Sequence, residues 1–305
     1  MRVFTNPSEL RRLVRDGLGP GCRVTRVERL RGGSKKGVYR LTLTGAGAPP
    51  SVIAYSWAPQ ENYWPSVPTS HAFGLAPFLS AHHTLRAAGV RTPHVLYASE
   101  PADLALVEDI PGDNLEATFT TDPARAAKAL SELAKTLDHM AAHTSPADHN
   151  SEDVTLTRAL DDLTEAATRD PRIDAATPAL AGRLHELHAA LTPRPAYSLV
   201  HGELGPDHIL LTPDAHPVLI DIESLTHADP EQEHAYLRLR FGPHYAPLAR
   251  PLDPTRLSLH TLALHLSLVA GPLRLLDGDF PHRDAMRGIA EHNTREALRL
   301  VRPVT

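Results

Sequence analysis

Cysteine is almost missing: Cys22 is the single one in 305 residues. An internal disulfide framework is thereby excluded, and a reducing, cytoplasmic setting is expected. Positive charge is not in excess, with 31 Lys and Arg against 36 Asp and Glu and a net charge of −5. No global basic field points to nucleic acid. No run of about 18 apolar residues occurs, so no membrane span is expected. The opening "MRVFTNPSELRRLVRDG" has no apolar core of the kind a secretory signal needs. HExxH and clustered Cys/His spacings are missing, which argues against zinc, and no GxxxxGK[ST] phosphate loop is present. There is no internal repeat and no low-complexity linker. What remains is a chain that is 42% hydrophobic, long enough to form two lobes with separate cores.

The first third alternates. "NPSELRRLVRDG" reads as a short capped helix, and "CRVTRVERL", "VYRLTLTG" and "SVIAYSW" read as strands, the first two forming a hairpin about the turn "RGGSKKG". "PFLSAHHTLRAAG" has helical spacing, and "TPHVLYASE" and "LALVEDIPG" read as two further strands. From about Pro111–Gly112 the pattern lengthens to helices, with Leu130, Leu133, Leu137 and Met140 on one stripe. The expected division is residues 1–110 and 111–305, in an α+β fold with a small antiparallel sheet followed by a mainly helical lobe.

Within the helical part, "SLVHGELGPDHILLTPDAHPVLIDIESL" reads as strand, polar loop and strand. Such a unit holds reactive groups on a rigid base. His201-Gly202-Glu203 is followed after five positions by His208, and after thirteen more by Asp221. That order and spacing agree with the kinase catalytic loop H-R-D-x-x-x-x-N and the metal-binding Asp beyond it. A carboxylate at the end of the apolar run "PVLID" is costly to bury unless it is paired or bound to metal.

On these residues the chain resembles the aminoglycoside phosphotransferases and related small-molecule kinases, whose loop H-G-D-x-x-x-x-N and segment I-D-[FW]-[DE] stand here as "HGELGPDH" and "IDIE". "RGGSKKGVYRL" sits where that family has its phosphate-covering hairpin, "LALVEDIPG" is similar to its interlobe hinge, and "HADPEQEHAYL" to its G-D-P-x-x-D-L-A segment. The resemblance covers about residues 20 to 245. It implies a bilobal protein-kinase-like fold, with a nucleotide-binding N-terminal lobe and a helical lobe that carries the catalytic loop and the acceptor site. It also implies an O-phosphotransferase that uses ATP or GTP with Mg²⁺ or Mn²⁺ on a hydroxylated small molecule, such as an aminoglycoside or another natural-product antibiotic, in resistance or biosynthesis. The catalytic-loop candidates are Glu203, which would meet the acceptor hydroxyl, and His201, which would hold the loop. The candidates for the nucleotide are Ser34, Lys35 and Lys36 in the hairpin turn and the backbone of Glu108 to Ile110. Those for the metal are Asp221, His208 and Glu223. Asp221 can also be a strand-end cap, Glu223 a group behind the ligands, and His208 a donor to phosphate or a loop histidine.

The departures bear on activity. Glu203 stands where the family has Asp, His208 where it has Asn, and Tyr55 where it has the strand lysine. The helix that follows has no acidic residue over 77–89, so the usual Lys–Glu pair has neither partner. An alternative reading is therefore a kinase fold that has lost catalysis and binds or regulates. The acids Asp277, Asp279 and Glu291 are available for an acceptor, and the loop "ENYWP" carries two aromatics.

Overall fold

Burial at every second position builds the first sheet: across Gly37–Thr44, Tyr39, Leu41 and Leu43 point inward while Thr42 and Thr44 face solvent. The computed structural model describes residues 4–31, 33–64, 73–147 and 151–301. Two compact units divide the chain: 1–136 with 206–224, and 137–205 with 225–305.

In the first unit, helix α1 (Pro7–Leu18) is capped by Asn6, whose side chain accepts the Ser8 N–H at 2.8 Å. Strands β1 (Arg23–Arg29), β2 (Gly37–Thr44) and β3 (Ser51–Ser56) precede helix α2 (Leu75–Ala87). Strands β4 (Val95–Ser99) and β5 (Leu104–Glu108) follow it. They form one antiparallel sheet in the order β1-β2-β3-β5-β4. Leu10, Leu13 and Val14 of α1 seal one face against Tyr39, Leu41, Val52, Ala54, Leu104 and Leu106. Each such side chain taken from water contributes roughly 1.5–3 kcal/mol. Helix α3 (Leu115–Thr121) begins at Asn114, and α4 (Pro123–Ala142) runs across the division between the units.

The second unit holds β6 (Thr144–Pro146), α5 (Ser151–Arg169), α6 (Pro171–Ala189) and β7 (Ala196–Val200). The hairpin β8 (Ile209–Leu211) and β9 (Pro217–Leu219) then returns to the first unit, where the Leu219 N–H donates to the Arg91 carbonyl at 2.9 Å. Strand β10 (Thr226–Ala228) and helices α7 (Pro230–Phe241), α8 (Pro254–Leu275) and α9 (Arg283–Arg299) complete the second unit. Its core is helical: Leu259, Leu262, Leu266 and Val269 of α8 pack against Leu163 of α5 and against Ile173, Leu180 and Leu184 of α6. Strands β10, β7 and β6, in that order, form a short sheet that seats the catalytic loop. The α+β fold read from the sequence, with one antiparallel sheet and a mainly helical remainder, is the fold observed. Among the described residues no helix is long and apolar enough to cross a membrane.

Candidate active site

The turn before β2 delivers a buried cation. Lys36 is 6% exposed, and its Nζ donates to Asp221 Oδ1 at 2.7 Å and to Glu223 Oε1 at 2.5 Å. Burial by itself would push this ammonium down; the Asp221 and Glu223 carboxylates outweigh it and hold the pKa well above the ordinary lysine value. The ammonium also lies 5.0 Å from the ring centre of Tyr55 and 5.9 Å from that of Trp57. Glycine is required at the next position: a Cβ on Gly37 would come within 2.5 Å of Glu61 Cδ. Glu61 is fully buried and accepts from the Thr5 N–H at 2.8 Å, from Tyr39 Oη at 2.5 Å and from Arg29 Nη2 at 3.1 Å. Lys36 therefore springs from backbone packed tightly on a fixed carboxylate. The "ENYW" aromatics hold the same turn: the Tyr63 N–H donates to the Ser34 carbonyl and Trp64 Nε1 to Ser34 Oγ, each at 2.8 Å. Pro65 lies outside the described residues. Lys35, half-buried, is not part of this cluster.

The two carboxylates do not share one side of an extended chain, as alternation along a strand implies. Strand β9 stops at Leu219, Asp221 adopts the left-handed region at φ 59°, and 222–224 is a single 3₁₀ turn. A non-glycine residue there costs of order 1–3 kcal/mol, and such strain gathers at functional positions. The kink turns Glu223 toward Lys36 and toward Trp57 Nε1, which donates to Glu223 Oε1 at 3.2 Å. His208 ends the 206–208 turn; the Ile220 N–H donates to its carbonyl at 3.0 Å, and its Nε2 lies 3.5 Å from Asp221 Oδ2.

Among the described residues no group of three or more His, Cys, Asp or Glu side chains gathers into a ready metal site. Mg²⁺ does not need one, since it ordinarily takes one or two carboxylates together with substrate phosphates and water. Asp221, one third exposed beside Lys36, fits that role. The His208 imidazole is the wrong donor for Mg²⁺ and a better one for Mn²⁺.

The second unit supplies residues 201–205 of the candidate catalytic loop, and the first unit its remainder. Gly202 sits at φ 91°, a conformation that L side chains rarely adopt, and its N–H donates to Glu233 Oε2 at 3.0 Å. Glu233 lies in α7, one residue past the Asp229-Pro230 start and the pair Glu231-Gln232, and it is 4% exposed. Burial pushes its carboxyl up; His201 and the backbone hydrogen bonds of His201 and Gly202 pull the other way without cancelling it. His201 is fully buried. Glu203 is half-buried close to Glu233 and Tyr236, and its charge adds to the burial that pushes the Tyr236 phenol up.

Other candidates fall differently. The Glu108 side chain accepts from Arg91 Nη2 at 2.7 Å, and the Glu108 N–H donates to the His94 carbonyl at 2.9 Å. Ile110 is buried. Of the acids available in the last helices, Asp277 pairs with Arg169 and Glu291 with Arg172. Trp57 and Phe78 were not singled out from the sequence, and Glu233 entered it only within "HADPEQEHAYL", at the second acid of G-D-P-x-x-D-L-A. The first has a signal in hindsight: it lies two residues past Tyr55, on the same side of the strand end.

Residues 29–251 match the phosphotransferase enzyme family (APH). The chain belongs to that family. No curated protein matches it. Among solved structures, it is similar to choline kinase LicA from Streptococcus pneumoniae, at 12% identity and TM-score 0.67 over 96% of this chain and 98% of that one. A thermostable aminoglycoside phosphotransferase APH(4)-Ia, in ternary complex with ADP and hygromycin B, matches at 16% identity and TM-score 0.62, over 95% and 98%. A choline/ethanolamine kinase family protein from Mesorhizobium loti matches at 17% and 0.61, over 92% and 89%. At these identities the likeness establishes the protein-kinase-like fold, as the catalytic-loop motifs had implied.

Proposed function

We propose that this family member transfers the γ-phosphoryl group of ATP or GTP to a hydroxyl of a small molecule such as an aminoglycoside or another hydroxylated natural product. The observation that carries this reading is the buried Lys36 held on Asp221 and Glu223. A lapsed site loses its costly buried charges, because an unpaired one is destabilising; here both carboxylates persist at the positions of the I-D-[FW]-[DE] segment, and the cation persists on the turn before β2. The ADP complex of the APH(4)-Ia neighbour supports nucleotide as the donor.

In this reading Asp221 would hold Mg²⁺, with His208 beside it, and the bound metal would supply charge neutralisation on the phosphates. The 33–36 turn covers the phosphates, and the Glu108–Ile110 backbone meets the base. Glu203 accepts the proton of the acceptor hydroxyl as its oxygen bonds to the γ-phosphorus. The bond from that phosphorus to the bridging oxygen breaks, and the nucleoside diphosphate leaves with the electron pair. Transfer of this kind needs mainly positioning and charge, so a weak carboxylate base suffices.

Mass spectrometry of hydroxylated antibiotics and amino alcohols incubated with protein, nucleotide and Mg²⁺ tests the reaction; the gain of one phosphoryl group on an acceptor is expected. Asp221→Ala is expected to abolish metal-dependent nucleotide binding with the fold retained. If no acceptor is modified and calorimetry finds the same Mg–nucleotide affinity in native and Asp221→Ala protein, the chain binds or regulates instead.

A further inference from the structure

Protein kinases hold their phosphate-contacting lysine on the third strand by a glutamate of the following helix. Here the strand position is Tyr55, the helix that follows has no acid over 77–89, and an aromatic of that helix meets Tyr55. Tyr55, paired with Val38 across β2 and β3, packs edge-on against Phe78 of α2, with ring centres 5.5 Å apart, and Trp57 packs on Phe78 at 5.3 Å. Tyr55 and Phe78 are 7% and 3% exposed. Offset and edge-on aromatic pairs of this kind are stabilising without any charge. Helix α2 is thus docked by apolar contact, and it also packs on the 222–224 turn.

The cation has moved one strand over. Lys36 Nζ lies above the Tyr55 ring, so a lysine side chain reaches the same small volume from the turn before β2 that it would reach from β3. Its carboxylate partner has moved as well. Glu223 Oε1 accepts from both Lys36 Nζ and Trp57 Nε1, and Glu223 is 8% exposed against 33% for the Asp221 side chain. A buried carboxylate oxygen with two protein donors is poorly placed to take a hydrated metal, whereas the half-open Asp221 is well placed.

We infer that Lys36 and Glu223 form the relocated nucleotide-orienting ion pair of this protein. Lys36 is the phosphate-contacting cation, Glu223 is a positioning residue that aims it and is not a metal ligand, and α2 takes no part in holding the cation. The inference rests on the reading that the chain binds a nucleoside triphosphate. It separates the roles of two carboxylates that stand two residues apart, and it explains how Tyr55 stands at a lysine position without loss of the phosphate contact.

The test uses the full native chain and its variants, with Trp64 kept because it holds the 33–36 turn, and calorimetry follows nucleotide binding directly. In Glu223→Gln, nucleotide affinity measured without metal is expected to fall at least tenfold, and the KM for nucleotide to rise, while the Mg²⁺ concentration for half-maximal binding enhancement stays at the native value. Asp221→Asn is expected to do the reverse and shift the Mg²⁺ dependence. Lys36→Met should lose metal-free affinity at least as far as Glu223→Gln does, and Lys36→Arg covers the case in which it does not fold. The double variant Lys36→Met with Tyr55→Lys should recover at least a third of the lost affinity, because a lysine from β3 reaches the same carboxylates. A Glu223→Gln protein that keeps its metal-free nucleotide affinity, and shifts its Mg²⁺ dependence as Asp221→Asn does, overturns the inference and makes Glu223 a metal ligand. Native protein that binds no nucleotide overturns the proposed function itself, a separate outcome.

Discussion

Two buried glutamates ten residues apart, Glu223 and Glu233, solve the same problem in opposite ways. In the first unit Glu223 is answered by a full charge, the Lys36 ammonium at 2.5 Å. In the second, Glu233 is answered by backbone, with the Gly202 N–H at 3.0 Å, and burial pushes its carboxyl up. A paired charge resists removal of either partner, because the survivor is left buried and alone. A carboxyl held mainly by N–H donors needs only an oxygen in the right place. The first arrangement suits a cation that must meet phosphate; the second suits a brace whose task is to fix the His201–Glu203 loop.

The largest expected effect breaks the first arrangement. Lys36→Met leaves Asp221 and Glu223 with no ammonium, and should cost about 3–5 kcal/mol of unfolding free energy at neutral pH. Glu233→Gln keeps an acceptor for Gly202 and should cost under about 1 kcal/mol. Denaturant unfolding of the two variants checks this. Equal losses would mean that Glu233 acts as a charge and that the contrast is false.

The next effect is chemical and belongs to the second unit alone. Glu203→Gln keeps the shape of the proposed base and removes its negative charge. Turnover should fall roughly a hundredfold, about 2.7 kcal/mol of barrier. Nucleotide affinity should hold, because Glu203 is not a phosphate ligand in the proposed mechanism. Glu203→Gln with normal turnover would strip the loop of its base. Weakened nucleotide affinity would move Glu203 to the phosphate side of the reaction.

The sequence made some of this visible and hid the rest for physical reasons. Alternation in "VYRLTLTG" declared a strand of the sheet, and the stripe of Leu130, Leu133, Leu137 and Met140 declared a helix. Spacing marked His201, Glu203, His208 and Asp221, because a loop between two strands has fixed length. It could not mark the partner of Glu223, since a contact between residues 36 and 223 leaves no local pattern. Extended-chain alternation places Glu223 beside Asp221; the two do meet on one ammonium, but through the left-handed φ at Asp221 and a 3₁₀ turn, not along a strand. Aromatic packing between Tyr55 and Phe78 was hidden for the same reason: one is on a strand and the other on a helix, 23 positions on. The absence of an acid on α2 was legible; the carboxylates that hold Lys36 instead were not.

The smallest expected effect sharpens the comparison by pH. Buried carboxyls of the second unit are not all treated alike: Asp229 is paired with Arg194 and Arg256, whereas burial raises Glu233, and a second raised carboxyl should behave as Glu233 does. Asp162 on α5 is pushed up to about 6 by burial, against the partial pull of Arg274, whose Nη2 is 4.0 Å away. Its ordinary value is 3.8, so the folded state binds the proton more tightly than the unfolded chain. The folded protein is then favoured at low pH, and this contribution declines as pH rises from about 4 to about 6, after which it is flat. Asp162→Asn removes the ionisation. It should therefore be indistinguishable from native protein below about pH 3.5 and more stable by about 1–2 kcal/mol above pH 7, the full shift being discounted for partial exposure and the nearby arginine. Thermal unfolding across that range measures the difference. A native curve that runs parallel to that of Asp162→Asn would show the Arg274 guanidinium fully compensating the charge. Asp162 would then be balanced by a cation, as Asp229 is by Arg194 and Arg256 in the same unit and Glu223 by Lys36 in the first.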